Sequence, residues 1–292
     1  MPQMLLGISP EMTHTPAHVP ADTLPFRRVV VPLDGAMQGE RAADIGATLA
    51  RLWRAEVMLV RVYGLSRPVR SNRAAFSSRA SVGGGESLCQ ASLHLARMEE
   101  RLRGHGVRIN SRLYQWPLGE ATLEVARAGD LVVLQVASEG SSAQMDVPAI
   151  RVLTAARVPV LVLPAGRRTV FERRPPGHAR VLVVWDAPPY AEAAAGVAGA
   201  FAAAIDGRAT LFARASAQQQ LAERIEGACA ALRARGIPAE VTLTEREPLA
   251  AAADIARESA DLIVLADGAS ATRAQTALRL LRAARRPVVV VS

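Results

Sequence analysis

Short apolar runs alternate along this chain with longer stretches of mixed polarity. The first run, residues 28–33, is β-branched and stops at Asp34 and Gly35, after which a helical spacing of apolar residues begins. The same order starts again at residues 180–185, which stop at Asp186. Runs of this kind predict buried strands, and apolar residues three or four apart predict amphipathic helices.

The pattern predicts ten strands with eight helices between them. The predicted strands are 26–33, 56–63, 107–114, 130–134, 158–163, 180–185, 209–214, 237–244, 261–265 and 287–291. The helix spacing places Ala42, Ile45, Leu49 and Leu52 on one face of the first helix, and Leu95 and Met98 in the core. Strict alternation of strand and helix predicts an α/β fold with doubly wound parallel sheets and right-handed crossovers.

The second half of the chain repeats the plan of the first. Asp34 and Asp186 are 186 − 34 = 152 positions apart, and the strand that begins at Asp130 is matched at Asp261, 261 − 130 = 131 positions later. The repeat predicts two tandem domains. We place a disordered tail at 1–25, the first domain at 26–164, a linker rich in Arg and Pro at 165–178 and the second domain at 179–292.

Composition limits the classes of function. Half of the residues are hydrophobic but only 4% are aromatic, which predicts an aliphatic core. The net charge of +8 comes from arginine, since the sequence contains no lysine, and these arginines are dispersed, so nucleic-acid binding is not favoured. Two distant cysteines fit a reduced cytoplasm. No apolar run is long enough for a membrane span, and the N-terminus lacks the features of a signal peptide.

Several segments, in the same order in both halves, resemble the universal stress protein family in its tandem form. In the first half they are 30–36, 106–109, 119–121, 130–134 and 158–162, and in the second they are Asp186, 261–265 and 286–290. The resemblance covers 26–164 and 179–292. It implies two five-stranded, Rossmann-like domains of the adenine nucleotide alpha hydrolase type. It also implies that the two domains pair along their last strands within one chain.

Many members of that family bind ATP with an Asp after strand one and a glycine-rich loop after strand four. Ligands of such sheets sit at the carboxyl ends of the strands, where glycines and a helix N-terminus approach the phosphates. The resemblance therefore gives a set of candidate ligand-binding residues: Asp34, Gly35, Val62, Gly140, Ser141 and Asp186. We identify no metal site and no catalytic residue.

The glycine-rich loop of the family is missing in both halves. Gly140 is the single glycine between Asp130 and Pro164, and the position of the family's late Gly-Ser pair falls on Asp146 and Val147. In the second half Asp267 lies near the phosphate position, and a carboxylate there repels phosphate. We expect neither half to bind ATP in the usual manner and expect no cofactor, with ATP or AMP as the alternative.

Three functions fit the sequence. The first is a non-enzymatic, cytoplasmic stress-response binding or regulatory module with a degenerate nucleotide site. The second is a nucleotide-binding protein with weak ATPase activity, in which Asp34 holds the ligand instead of capping the first helix. The third is a partner-binding module that works through the Arg-containing segment 64–86. The protein partner is unknown, and the sequence leaves a homodimer open.

Overall fold

The computed structural model describes residues 25–33, 37–64, 87–136, 147–166, 168–172, 179–185, 188–215, 219–246, 248–266 and 272–292. The predicted tail up to residue 24 and nearly all of segment 64–86 lie outside this description.

The first half follows the predicted order, with boundaries within a few residues of those expected. Its elements are β1 (Arg28–Leu33), α1 (Met37–Trp53), β2 (Glu56–Val62), α2 (Leu88–Arg103), β3 (Ile109–Tyr114), α3 (Leu118–Val125), β4 (Asp130–Gln135), α4 (Val147–Ala155) and β5 (Val160–Leu163). The clearest start is that of α2, where the Ser87 hydroxyl accepts from the N–H of Gln90 and the Gln90 side chain accepts from the N–H of Ser87. This capping box provides hydrogen-bond partners for backbone N–H groups at the start of the helix, which have no partner within the helix itself.

The second half repeats the order after a short 3-10 turn, Val170–Glu172. Its elements are β6 (Ala179–Trp185), α5 (Pro188–Ala204), β7 (Gly207–Arg214), α6 (Gln219–Ala234), β8 (Ala239–Thr244), α7 (Pro248–Ser259), β9 (Leu262–Ala266), α8 (Arg273–Ala284) and β10 (Val288–Val291).

The strands of the described residues form one ten-stranded sheet in the order β3-β2-β1-β4-β5-β10-β9-β6-β7-β8. The pairings are parallel except that of β5 with β10, which is antiparallel and sets Leu161 opposite Val289. The predicted α/β doubly wound fold is confirmed. Strand order reverses between β1 and β4 and again between β6 and β9, and ligands of open parallel sheets bind at such points. We call the carboxyl ends of β1 and β4 the first crevice and those of β6 and β9 the second crevice.

Strand side chains alternate between two helical layers. Helices α1, α2, α5 and α6 cover the face that carries Val29 and Val31. Helices α3, α4, α7 and α8 cover the opposite face, which carries Val30 and Val132. The core is largely aliphatic, as the composition predicts.

Two core predictions on the first helical layer have different outcomes. Leu95 and Met98 are buried, as predicted, but Leu52 is 46% exposed. Positions 52 and 53 straddle the apolar stripe of α1 because the helix repeats every 3.6 residues. Trp53, which buries more apolar area than leucine, takes the core position instead.

Aromatic rings join the two halves behind the sheet. The Trp53 ring of α1 lies 4.8 Å from Phe26 and 5.1 Å from Phe201 of α5, measured between centroids. Phe171, in the 3-10 turn, lies 5.8 Å from Phe201. The segment predicted as an irregular linker therefore contributes a packed turn at this point.

Candidate functional site

The first crevice is the leading candidate because it is a switch point of the strand order. Of the candidate ligand-binding residues, the structure describes Val62, which ends β2 and is half-buried. Asp34, Gly35, Gly140, Ser141 and Asp186 lie outside the described residues. Their roles stay predictions, and the described part of each crevice consists of side chains at the strand ends.

A buried arginine lies at the first crevice. Arg61 of β2 is 4% exposed, and its Nη1 donates a hydrogen bond of 2.8 Å to the carbonyl oxygen of Leu33. Leu33 is the last residue of β1 and directly precedes Asp34 in the sequence. Arg61 also stands opposite Leu33 in the β1–β2 ladder. A permanent positive charge is thus held beside the end of the strand that leads to the candidate carboxylate.

A buried acceptor lies on β4, the other strand of this crevice. The Oε1 atom of Gln135 is buried and has no hydrogen-bond partner among the described residues. Gln135 is the last residue of β4 and shares its strand face with Leu131 and Val133, which pack beneath α1. An unpaired buried acceptor costs about 1–3 kcal/mol, so such atoms are uncommon away from functional sites.

The second crevice is built from different side chains at the same ladder positions. Leu33 and Arg61 are paired in the first half, and 152 positions later in each case Trp185 and Ala213 are paired in the second. Trp185 is 2% exposed, and its Nε1 is a buried donor that has no partner within the described part of the chain. The large side chain of this rung is therefore the charged Arg61 on β2 in the first half and the ring of Trp185 on β6 in the second.

Helix α1, which follows the first crevice, is anchored by Arg41 in its second turn. The Arg41 guanidinium donates to both carboxylate oxygens of Glu172, at 2.9 and 2.8 Å, and to the carbonyl oxygen of Pro164 at 2.8 Å. Partial burial opposes ionisation of Glu172, but hydrogen bonds from Arg41 and Thr169 outweigh it and lower the pKa of Glu172 to about 2. Glu172 is thus a structural anion, and its carboxylate is too weakly basic to act as a general base near neutral pH.

Carboxylates on the outer face of α1 are also paired. Arg101 of α2 donates to Glu40 at 2.7 Å and to Asp44 at 3.1 Å. These contacts tie α1 to α2 and neutralise the acidic side chains nearest the start of α1. The carboxylates of Glu40 and Asp44 therefore have a structural role in the helical layer.

Metal and thiol chemistry find little support in the described segments. Within them, no group of three or more His, Cys, Asp or Glu side chains is arranged to hold a metal ion. Cys89 is exposed and Cys229 is buried, and both are free. Burial raises the pKa of the Cys229 thiol, which lowers its reactivity. None of the described helices is both long enough and apolar enough to cross a bilayer.

Sequence reasoning missed Arg61 and Gln135 as crevice residues. Each interrupts an otherwise apolar strand, in Met-Leu-Val-Arg-Val and Leu-Val-Val-Leu-Gln. A charged or amide side chain at the carboxyl end of a buried strand is the feature that could have identified them.

Comparisons with known proteins agree with this architecture. Residues 25–164 match the model of the universal stress protein family. No curated protein matches the sequence. A universal stress protein from Archaeoglobus fulgidus has a similar structure, with a TM-score of 0.65 and 14% identity over 92% of this chain and 98% of that one.

Two further solved structures resemble the chain to a similar extent. A functionally unknown protein from Pseudomonas aeruginosa gives a TM-score of 0.56 at 16% identity, over 93% of this chain and 94% of that one. The cytoplasmic domain of a prokaryotic cation chloride cotransporter gives 0.56 at 13%, over 91% and 95%. At these identities the likeness establishes the fold, and it extends over both halves.

The fold and the switch-point crevices define the class: a doubly wound α/β protein of the Rossmann-like, adenine nucleotide alpha hydrolase type. Residues 25–164, which form the first half of the chain, match the universal stress protein family.

Proposed function

We propose that this protein is a tandem universal stress protein that acts as a non-enzymatic binding or regulatory module in the stress response. In this proposal both nucleotide sites are degenerate and neither binds ATP in the manner usual for the family. The protein works in the cytoplasm, takes no cofactor and acts through a protein partner. It acts as a single chain or as a homodimer.

One observation carries the proposal: a large side chain is buried at the same rung of the strand ladder in both crevices, on β2 in the first and on β6, the opposite strand of the pair, in the second. In the first it is Arg61, bonded to the carbonyl of Leu33, and in the second it is Trp185. Each takes space at the carboxyl end of the central strands, where a ligand of this fold would bind. The sequence adds to this support, since the loops after β4 and β9 lack the family's glycine pattern and contain Asp146 and Asp267.

Calorimetric titration with magnesium-ATP tests the proposal. We expect no saturable binding up to millimolar nucleotide, and no adenine nucleotide in native mass spectra of the purified protein. The same titration is repeated with Arg61→Val, a variant that empties the first crevice because it replaces the guanidinium by a small apolar group. Micromolar binding by the wild-type chain, at one or two nucleotides per chain, would overturn the proposal.

Gln135 favours a second candidate function: binding of ATP or AMP in the first crevice with weak ATPase activity. Its buried Oε1 accepts no hydrogen bond from any described residue, and the exocyclic amine of adenine is a donor that would satisfy it. In this alternative Asp34 holds the ribose, and the nucleotide occupies the first crevice alone because Trp185 fills the second.

The two candidates differ in the response to one substitution. Gln135→Met keeps the length of the side chain and removes the acceptor. If the alternative is correct, the wild-type chain binds one AMP or ATP and slowly releases phosphate, and Gln135→Met weakens nucleotide binding about tenfold. If the sites are degenerate, neither protein binds nucleotide or releases phosphate above the rate of a buffer blank.

A further inference from the structure

A polar cavity lies at the junction of the two halves, beside β5 and β10. It encloses about 420 Å³ and is lined, among the described residues, by Pro164 after β5, Pro287 before β10, Asp261 before β9 and the arginines Arg168, Arg285 and Arg286. Pro164 and Pro287 meet there because β5 and β10 are antiparallel, so the end of one lies beside the start of the other. The cavity therefore exists only where the two halves pair.

The charge of the lining favours an anion. Three arginines and one aspartate are among the residues that line the cavity. Arg286 is held by its Nε, which donates to the carbonyl oxygen of Ala256 at 3.4 Å. No carboxylate among the described residues forms a salt bridge with Arg168 or Arg285. Arginine forks match the oxygens of phosphate and carboxylate groups, so an oxyanion satisfies this lining better than water does.

The first half supplies an internal comparison. Asp130 is 3% exposed and pairs with Arg28 at 2.6 Å, and these two residues are opposite in the β1–β4 ladder. The corresponding pair in the second half is Asp261 and Arg180, where the backbone N–H of Arg180 donates to Asp261 at 3.1 Å. Within the described segments no arginine side chain forms a salt bridge with Asp261. Asp130 is thus buried in an ion pair in the first half, whereas its counterpart Asp261 lines a cavity in the second.

We propose that this cavity binds a small phosphate ester that carries hydroxyl groups, at one site per chain. Arg168, Arg285 and Arg286 hold the phosphate, and their combined charge outweighs the repulsion from Asp261. The Asp261 carboxylate accepts hydrogen bonds from the hydroxyls of the ligand. A volume of about 420 Å³ is at the small end of ligand pockets and suits a pentose phosphate in size. The bound ligand contacts residues of both halves, so ligand binding is coupled to the pairing of the two halves.

Titration of the full chain with ribose 5-phosphate, by calorimetry at low ionic strength, tests this site. We expect saturable one-to-one binding, weaker binding of inorganic phosphate and none of ribose. Arg285→Gly should weaken the binding of ribose 5-phosphate about tenfold or more, the usual effect of losing one charge-assisted contact. This variant should fold, because Arg285 caps α8 with φ of 53° and glycine is the residue best suited to that conformation.

Arg157 provides the matched control. It occupies the position in the first half that corresponds to Arg285, two residues before the proline that precedes β5, and it is exposed. Arg157→Gln should leave the affinity for ribose 5-phosphate unchanged. The site is wrong if ribose 5-phosphate shows no saturable binding, if Arg157→Gln and Arg285→Gly weaken it equally, or if ATP competes with it. Equal affinity for inorganic phosphate would overturn the role given to Asp261.

Discussion

Arg41 and Glu172 are 131 positions apart in the sequence, yet their side chains form a bidentate ion pair at 2.8 and 2.9 Å. The pair joins α1 of the first half to the 3-10 turn that leads to the second half. Glu172 is fixed further by the N–H and hydroxyl of Thr169, at 2.6 and 3.0 Å. We infer that this contact holds the connecting segment against the sheet and keeps Phe171 in the aromatic cluster.

The stability of the protein should depend on pH through Glu172. Its pKa falls from 4.5 to about 2 on folding. A depressed pKa in the folded state means that the stabilisation is complete above about pH 4.5 and is lost as the pH falls toward 2. We expect Glu172→Gln to lower the free energy of unfolding at pH 6 by about 1 kcal/mol, the scale of a partly exposed ion pair. Urea denaturation at pH 6 and at pH 3 measures the effect.

The control for this prediction is Glu100→Gln, because Glu100 is exposed and pairs locally with Arg103 on α2. That variant should resemble the wild-type chain at both pH values. At pH 3 the difference between wild type and Glu172→Gln should shrink. A difference that grows on acidification would contradict the assignment of the depressed pKa to Glu172.

Gly207 is required by the close approach of two strands. A Cβ atom built at this position would lie 2.6 Å from the carbonyl oxygen of Ala179, which is too close for any pair of atoms without a hydrogen bond. Gly207→Ala should therefore push β7 away from β6 and lower the free energy of unfolding by about 1–3 kcal/mol. Gly196→Ala is the matched variant, since a Cβ there meets nothing within 4 Å on helix α5. It should be stabilising by about 0.5–1 kcal/mol. Equal losses in the two variants would show that the strand contact is not the cause.

Local patterns predicted the elements well, because each strand and helix carries its own periodicity. Contacts between distant segments were harder to predict. The bond from Arg61 to Leu33 depends on the register of β1 against β2, which periodicity does not fix. Likewise, Glu172 of the 3-10 turn pairs with the distant Arg41, and the composition of the segment favoured only a linker. The roles of Asp34 and Gly140 stay predictions.

The repeat also provides a comparison of stability between the two halves. Arg28→Met removes the partner of Asp130, whose side chain is 4% exposed, and leaves a buried carboxylate without its counter-ion. The expected loss is about 3–5 kcal/mol in the free energy of unfolding. Arg180→Met makes the same change at the corresponding position, where Asp261 forms no salt bridge with a described residue, and should cost less than about 0.5 kcal/mol. Thermal unfolding of the two variants side by side measures the contrast, and similar losses would contradict it.

Gln135 gives a prediction of opposite sign, since its substitution should stabilise the protein. Its Oε1 is buried and finds no donor in the segments that the structure describes, and removal of such an atom recovers part of the desolvation cost. Gln135→Met keeps a similar shape and should raise the free energy of unfolding by about 1 kcal/mol in the absence of ligand. Gln115→Met, at an exposed position after β3, should change it by less than about 0.5 kcal/mol. If Gln135→Met is instead destabilising while Gln115→Met is neutral, the Gln135 amide has a partner in the folded protein. The first crevice would then be closed by a hydrogen bond instead of offering an acceptor to a ligand.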